Sequence, residues 1–413
     1  MQALLEQSNR YLANLGSTYH RSILREINWD NRLIGILGAR GVGKTTLLLQ
    51  RMQELKLPAN KAVYLVLDDI YFTLNRLQDF TRSFYDAGGR HLFIDEVHRY
   101  GFGTWAREIK AIYDLYPDLS IVFTGSSVLK IVKEQADLSR RLRTYHMPGL
   151  SLREYLNITH QKEVAKRELK DILVNHELIS RKIVAALGFS PVEQIKDYFI
   201  SGYYPFFQEA GDGYLNRLNE TVKIVLENDL PYATERKVRD IMKISMLLFA
   251  VASSAPFIPN VLKLSTRLEI SRVALLKYFQ LLEQAQLLKT LKKQGKGISS
   301  LQKPDKVYLD NPNLIYALAP NQVNVGALRE TFVLNQLTYL TRTAPGLLPP
   351  EIRLPKSGDI YYQSTEQDYL FEIGGPNKHF KQIGTADNHF IIADGIAHGA
   401  GRRIPLWLFG YLY

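Results

Sequence analysis

Short, unbroken apolar runs punctuate the first third of the chain, each followed by residues whose apolar positions recur at helical spacing. Leu33-Ile34-Gly35-Ile36-Leu37, Ala62-Val63-Tyr64-Leu65-Val66-Leu67, Arg90-His91-Leu92-Phe93-Ile94 and Leu119-Ser120-Ile121-Val122-Phe123-Thr124 read as buried strands. Leu47–Met52 and Thr104–Tyr116 read as helices between them. Continuously apolar strands alternating with helices predict a parallel sheet covered on both faces, with its ligands at the carboxyl ends of the strands. Upstream, Leu4, Leu5, Tyr11, Leu12 and Leu15 keep a helical period, so residues 1–31 form a helical lead-in and a charged connector.

The pattern changes after residue 150. Residues 150–230 are helical and mixed in charge, with a break at Gly202-Tyr203-Tyr204-Pro205. Helices follow at Arg239–Val251, Val261–Leu264 and Ile270–Leu282, the last with Ser271 as its cap. Leu287-Leu288-Lys289 and the basic turn Lys292-Lys293-Gln294-Gly295-Lys296-Gly297 come next, and this order predicts a winged helix. From about Pro304 the chain shows Val307-Tyr308-Leu309-Asp310, a helix through Gly326–Val333, and two paired strands, Ser357–Tyr362 and Tyr369–Gly374.

Composition narrows the classes. The 413 residues are enough for two to four domains, and 46% apolar with 23% charged residues is ordinary for a globular chain. The absence of cysteine excludes a disulfide scaffold, a cysteine nucleophile and thiolate metal sites. Met1–Gln7 lacks the basic start and apolar core of a signal peptide, and the most apolar window, Ser245–Ile258, is too short to span a bilayer. The expectation is a cytoplasmic protein with no membrane contact. A formal charge of +11 points to a polyanionic partner, although general solubility and attraction of a nucleotide account for it equally.

The chemistry concentrates at Gly38-Ala39-Arg40-Gly41-Val42-Gly43-Lys44-Thr45-Thr46, after a strand and before a helix. This is the phosphate-binding pattern G-x-x-x-x-G-K-[ST] in the context it requires. The glycines let successive N–H groups turn inward, and the helix adds its positive N-terminal end. Lys44 then sets a point charge on the β- and γ-phosphates, and the Thr45 hydroxyl is a ligand for Mg²⁺. The third strand ends in Asp95-Glu96: Asp95 is placed to hold the metal opposite Thr45, and Glu96 to polarise the attacking water. Nucleotide, taken as ATP, and Mg²⁺ are the expected cofactors.

Two further stretches follow the same logic. Thr124-Gly125-Ser126-Ser127 ends the fourth strand, where Ser126 either contacts the γ-phosphate or water, or caps the next helix. Arg140 and Arg141 in Ser139-Arg140-Arg141-Leu142-Arg143 are either cations acting on a neighbouring subunit's nucleotide in a homo-oligomer, or a solvated helix end.

These motifs, with Leu150-Ser151-Leu152-Arg153-Glu154-Tyr155-Leu156, resemble those of prokaryotic AAA+-type ATPases that end in a nuclease-like domain. The resemblance implies an α/β fold: a five-stranded P-loop core (32–150), a helical lid (151–235), a winged helix (236–303) and a degenerate restriction-endonuclease-like α/β domain (304–413). In the winged helix, Arg272 and Lys277 would face DNA and Lys292, Lys293 and Lys296 would meet phosphates, unless the module only packs domains. Glu330, Asp359 and Glu372 resemble the metal-binding acids of the PD-(D/E)xK nuclease fold. That fold also sets a lysine two residues after the last acid, where this chain has Gly374. Lys378 lies beyond Gly375-Pro376, and its return to the acids is not expected, so the domain reads as inactive. The resulting expectation is an ATPase whose nucleotide state controls engagement of DNA or another protein; the alternative is an ATP-gated, metal-dependent nuclease.

Overall fold

The computed structural model describes residues 1–413 except 17–18, 101–104, 126–137, 139, 234–240, 255, 294–302, 344–348 and 381–385. The chain forms two compact units, Met1–Pro148 with Glu227–Val238, and Gly149–Leu226 with Arg239–Tyr413.

In the first unit, β1 (Leu33–Leu37), β2 (Ala62–Val66), β3 (His91–Asp95), β4 (Ser120–Gly125) and β5 (Arg143–His146) form one sheet in the order β2-β3-β4-β1-β5. Every pairing is parallel. Four strands fall where the apolar runs lie. The fifth, at the sheet edge, has Arg143 exposed and Thr144, Tyr145 and His146 only half-buried, so it carries no continuous apolar signal. In β1, Leu33, Ile34, Ile36 and Leu37 are essentially sealed from solvent, each contributing about 2 kcal/mol of burial. The helices Lys44–Glu54, Leu77–Asp86 and Trp105–Leu115 cover the sheet, with Phe80, Phe84, Trp105 and Phe123 in the core. Strand β1 thus delivers the phosphate loop, while β4 beside it and β3 beyond bring Thr124 and Asp95 to the same carboxyl end of the sheet.

Glu227–Val238 joins this unit from far along the chain. A five-residue π-helix, Val225–Asp229, carries Asp229 into it.

In the second unit, the helices Ile241–Ala252, Val261–Arg267 and Arg272–Gln284 precede an antiparallel pair, β6 (Leu288–Leu291) and β7 (Lys306–Leu309). Ser271 caps the third helix as expected, accepting from Ala274 N. Strand β7 lies in the segment expected to open the final domain, and it pairs antiparallel with β6. A mixed sheet follows: β8 (Glu351–Arg353), β9 (Ile360–Gln363), β10 (Tyr369–Gly374), β11 (His389–Ala393) and β12 (Arg403–Pro405), in that spatial order. The pairs β8-β9 and β9-β10 are antiparallel, and β10-β11 and β11-β12 parallel. The helix Val325–Thr343 packs against this sheet and carries Glu330.

Candidate functional site

Glycine geometry makes the loop possible. Gly41 and Gly43 take φ of 85° and 95°, left-handed values that L side chains rarely adopt. A Cβ on Gly38 would lie 2.3 Å from the Met147 carbonyl oxygen, so nothing larger fits there. Arg21 braces the loop from outside: its guanidinium is buried and donates to the carbonyls of Val42 and Pro148, each at 3.0 Å. Ala39 and Val42 are buried, Arg40 and Thr46 half-buried, and Thr45 exposed at the head of its helix.

Lys44 is buried and curls over the loop, donating to the carbonyls of Gly38 at 3.0 Å and Ala39 at 2.8 Å. Burial depresses its pKa, and the charges of Glu96 and Asp95 partly offset that. Anionic phosphates beside it would counter that burial penalty and favour the charged form.

Asp95 is the hub of the acidic side. It is buried and accepts from the Thr45 hydroxyl at 2.5 Å, the Tyr64 hydroxyl at 2.8 Å, the Thr124 hydroxyl, and the Glu96 amide at 3.1 Å. Burial and then the Asp95 charge drive the Tyr64 pKa upward, keeping that hydroxyl a donor. The oxygens of Thr45 and Asp95 are the hard-ligand set that suits Mg²⁺, and they already face one another.

Glu96 adopts φ of 56°, an unusual left-handed conformation for a side-chain-bearing residue, at the turn from β3 into Val97–Arg99. Its carboxylate lies 3.2 Å from His98 Nε2 and 3.9 Å from Arg99 Nε. Asp229 completes this cluster, with Arg99 at 3.1 Å, Arg40 at 3.4 Å and His98 at 3.9 Å.

The structure therefore brings together Lys44, Thr45, Asp95 and Glu96. Ser126 lies outside the described residues; the polar group seen at that strand end is Thr124. Arg141 makes a two-point pair with its own Asp114, at 2.8 and 3.0 Å, and Arg140 is exposed. Sequence reasoning missed Arg21, Tyr64, His98, Arg99 and Asp229. His98 and Arg99 follow directly on Glu96 and could have been weighed; Asp229 sits 130 residues beyond Arg99 and carries no local signal.

In the second unit, Arg272, Lys277 and Lys293 are exposed, Lys292 is half-buried, and Lys296 lies outside the described residues. Glu330 accepts from Lys306 Nζ and the Tyr308 hydroxyl, each at 2.6 Å. Asp359 accepts from the Ile373 amide at 2.7 Å. Burial, then the charge of Glu330, pushes Asp359 up to about 6. The expectation for Lys378 is corrected: its ammonium lies 2.5 Å from Glu372 Oε1, a contact that holds its pKa above the ordinary value. The break at Gly374-Gly375-Pro376 turns the chain back, and bare Gly374 leaves the room: a Cβ there would meet the Lys378 side chain at 2.8 Å. Among the described residues, no group of three His, Cys, Asp or Glu side chains stands in metal-holding geometry. Glu330 and Glu372 have ammonium partners instead, so the residues as arranged do not fit a metal centre.

Residues 30–156 match a family model described as an AAA domain, and residues 192–324 one described as a domain of unknown function (DUF8612). Over 292 residues the chain is 26% identical to Uncharacterized protein MJ1637 of Methanocaldococcus jannaschii, covering 68% of this chain and 61% of that protein. The chain thus spans less than two thirds of that relative. Among solved structures, it is similar to AMPPCP-bound DnaA from Aquifex aeolicus, with 15% identity, 67% of this chain and 86% of that one covered, and a TM-score of 0.26. Pif1 helicase from Candida albicans gives 14% identity, 33% and 42% coverage, and a TM-score of 0.25. Among the described residues, no helix is long and apolar enough to cross a membrane.

Proposed function

We propose that this chain binds ATP at the Gly38–Thr46 loop and hydrolyses it with Mg²⁺, and that its nucleotide state governs engagement of DNA or a partner protein by the second unit. The observation that carries this is the direct Thr45–Asp95 hydrogen bond beside Glu96, on a phosphate loop in an AAA-domain segment. The loop amides and Lys44 bind and orient the phosphates. Thr45 and Asp95 would hold Mg²⁺, which when bound supplies charge neutralisation between the phosphates. Tyr64 and Thr124 fix the Asp95 carboxylate, so its geometry is set before nucleotide arrives. Glu96 accepts a proton from the attacking water, its carboxylate oriented by His98. With Arg141 engaged by Asp114, a contribution across a subunit contact falls to exposed Arg140.

The exposed bases Arg272, Lys277 and Lys293 suit a phosphate backbone, on a helix and beside a strand pair in the order of a winged helix. Lys378 returns a cation to Glu372, but the nuclease reading stays the weaker one, because Lys306 and Tyr308 hold Glu330 and no three of the described acids stand in metal-holding geometry. No cleavage of linear, circular or single-stranded DNA is expected with Mg²⁺ or Mn²⁺. Nicking that disappears in both Asp359→Ala and Glu372→Ala would reverse that.

The deciding experiment is phosphate release from ATP by the full chain, alone and with single- or double-stranded DNA. Turnover lost in Glu96→Gln supports the proposal; no turnover under any of these conditions removes it.

A further inference from the structure

Asp229 has no part in the reaction just described, yet it is a carboxylate only 3% exposed beside the phosphate loop. Its contacts include Arg99 Nη2 at 3.1 Å, Arg40 Nη1 at 3.4 Å and the His98 imidazole Nε2 at 3.9 Å. Burial raises its pKa, but the His98 hydrogen bond and the charges of Arg40, His98 and Arg99 outweigh burial and bring it below the ordinary range. It is therefore an anion. Arg40 belongs to the loop that cradles phosphates, and the charges of Arg40 and Asp229 both reach the Lys44 ammonium. A buried negative charge within reach of those cations occupies the electrostatic place of a phosphate group.

We propose that Asp229 is an internal counter-ion that the terminal phosphate of a nucleoside triphosphate displaces from Arg40. The proposal rests on the ATP-binding reading above. With no nucleotide, Arg40 and Arg99 share Asp229. When ATP binds, the Arg40 guanidinium, whose side chain is 30% exposed, turns to the terminal phosphate. Arg99, 13% exposed, and His98 stay with Asp229, so no unpaired buried charge results. ADP lacks that phosphate and leaves Arg40 in place. The exchange favours triphosphate over diphosphate, and it acts on a residue that closes a π-helical turn, a backbone form common at functional sites.

The test is calorimetric titration of the full chain with a non-hydrolysable ATP analogue and with ADP, both with Mg²⁺. Asp229→Asn keeps the shape and removes the competing charge. It should tighten the analogue by about tenfold and ADP by less than about twofold. Arg40→Ala should weaken the analogue by about tenfold, spare ADP, and abolish the effect of Asp229→Asn in the double variant. Equal changes for both nucleotides, or a weaker analogue in Asp229→Asn, overturn the proposal. If Asp229→Asn does not fold, Arg40→Ala decides alone: a partly exposed side chain is removed, and an unchanged analogue-to-ADP ratio overturns it. Wild-type protein that binds neither nucleotide removes the ATP-binding reading itself, whereas binding and turnover with an unmoved ratio removes only the counter-ion.

Discussion

The Thr45 hydroxyl donates to Asp95 Oδ2 across 2.5 Å, and Tyr64 donates to the same oxygen at 2.8 Å. A carboxylate so closely held keeps its place without a ligand, so Mg²⁺ finds both oxygen donors already facing each other. Chelation with EDTA should stop ATP turnover. Asp95→Asn should lower kcat by about 10² or more while leaving nucleotide affinity without metal nearly unchanged. Tyr64→Phe, which removes one of several donors, should cost about 1 kcal/mol of stability and raise the Mg²⁺ concentration needed for half-maximal rate. Full turnover in Asp95→Asn would count against this site.

Lys44 and Glu96 do different work and should fail differently. Lys44→Ala removes the point charge on the phosphates and should weaken ATP binding. Glu96→Gln keeps the shape and loses the proton acceptor, so binding should persist while hydrolysis slows by about 10² or more. Single-turnover assays beside nucleotide titrations separate the two. Equal turnover in wild type and Glu96→Gln would take the water-activating role away from that residue.

Salt dependence reports on the second unit. If exposed Arg272, Lys277 and Lys293 meet phosphates, removing each should reduce the slope of log K against log salt by about 0.9. The measurement is fluorescence anisotropy on a duplex of arbitrary sequence at several salt concentrations. A slope unchanged in the triple variant assigns the module to packing instead.

Asp359 gives a pH signature. Its pKa rises from 3.8 to about 6 in the folded chain, through burial and then the charge of Glu330. Between those values the folded protein keeps a proton that the unfolded chain has lost. Stability contributed by the protonated acid is therefore complete below the unfolded pKa and declines until the folded pKa is passed. Asp359→Asn escapes this loss, so its melting temperature should gain on that of wild type from pH 4 to pH 6 and hold the gain above. A difference between the two that does not vary with pH would refute the shift.

Four strands of the first unit are legible because they are buried on both faces. Runs such as Val63–Val66 and Leu92–Ile94 leave little choice of period, and the phosphate loop fixes where β1 must end. The return of Asp229 was not legible, since a single acid reaching a site from a distant segment leaves no periodic trace. In the sequence Tyr64 is one more apolar strand residue, and only its hydroxyl contact with Asp95 shows otherwise. Lys378 is hidden for a related reason: in the sequence the glycines and proline ahead of it look like a barrier, whereas in the fold they form the bend that returns it to Glu372.

That bend makes residues 374 and 378 alternative seats for a single ammonium. A lysine engineered at 374 would not add to the site, because its first carbon would fall within 2.8 Å of the Lys378 side chain. One of the two would have to leave. Repairing the motif column by column would thus evict the group already present, and a useful redesign has to change both positions together.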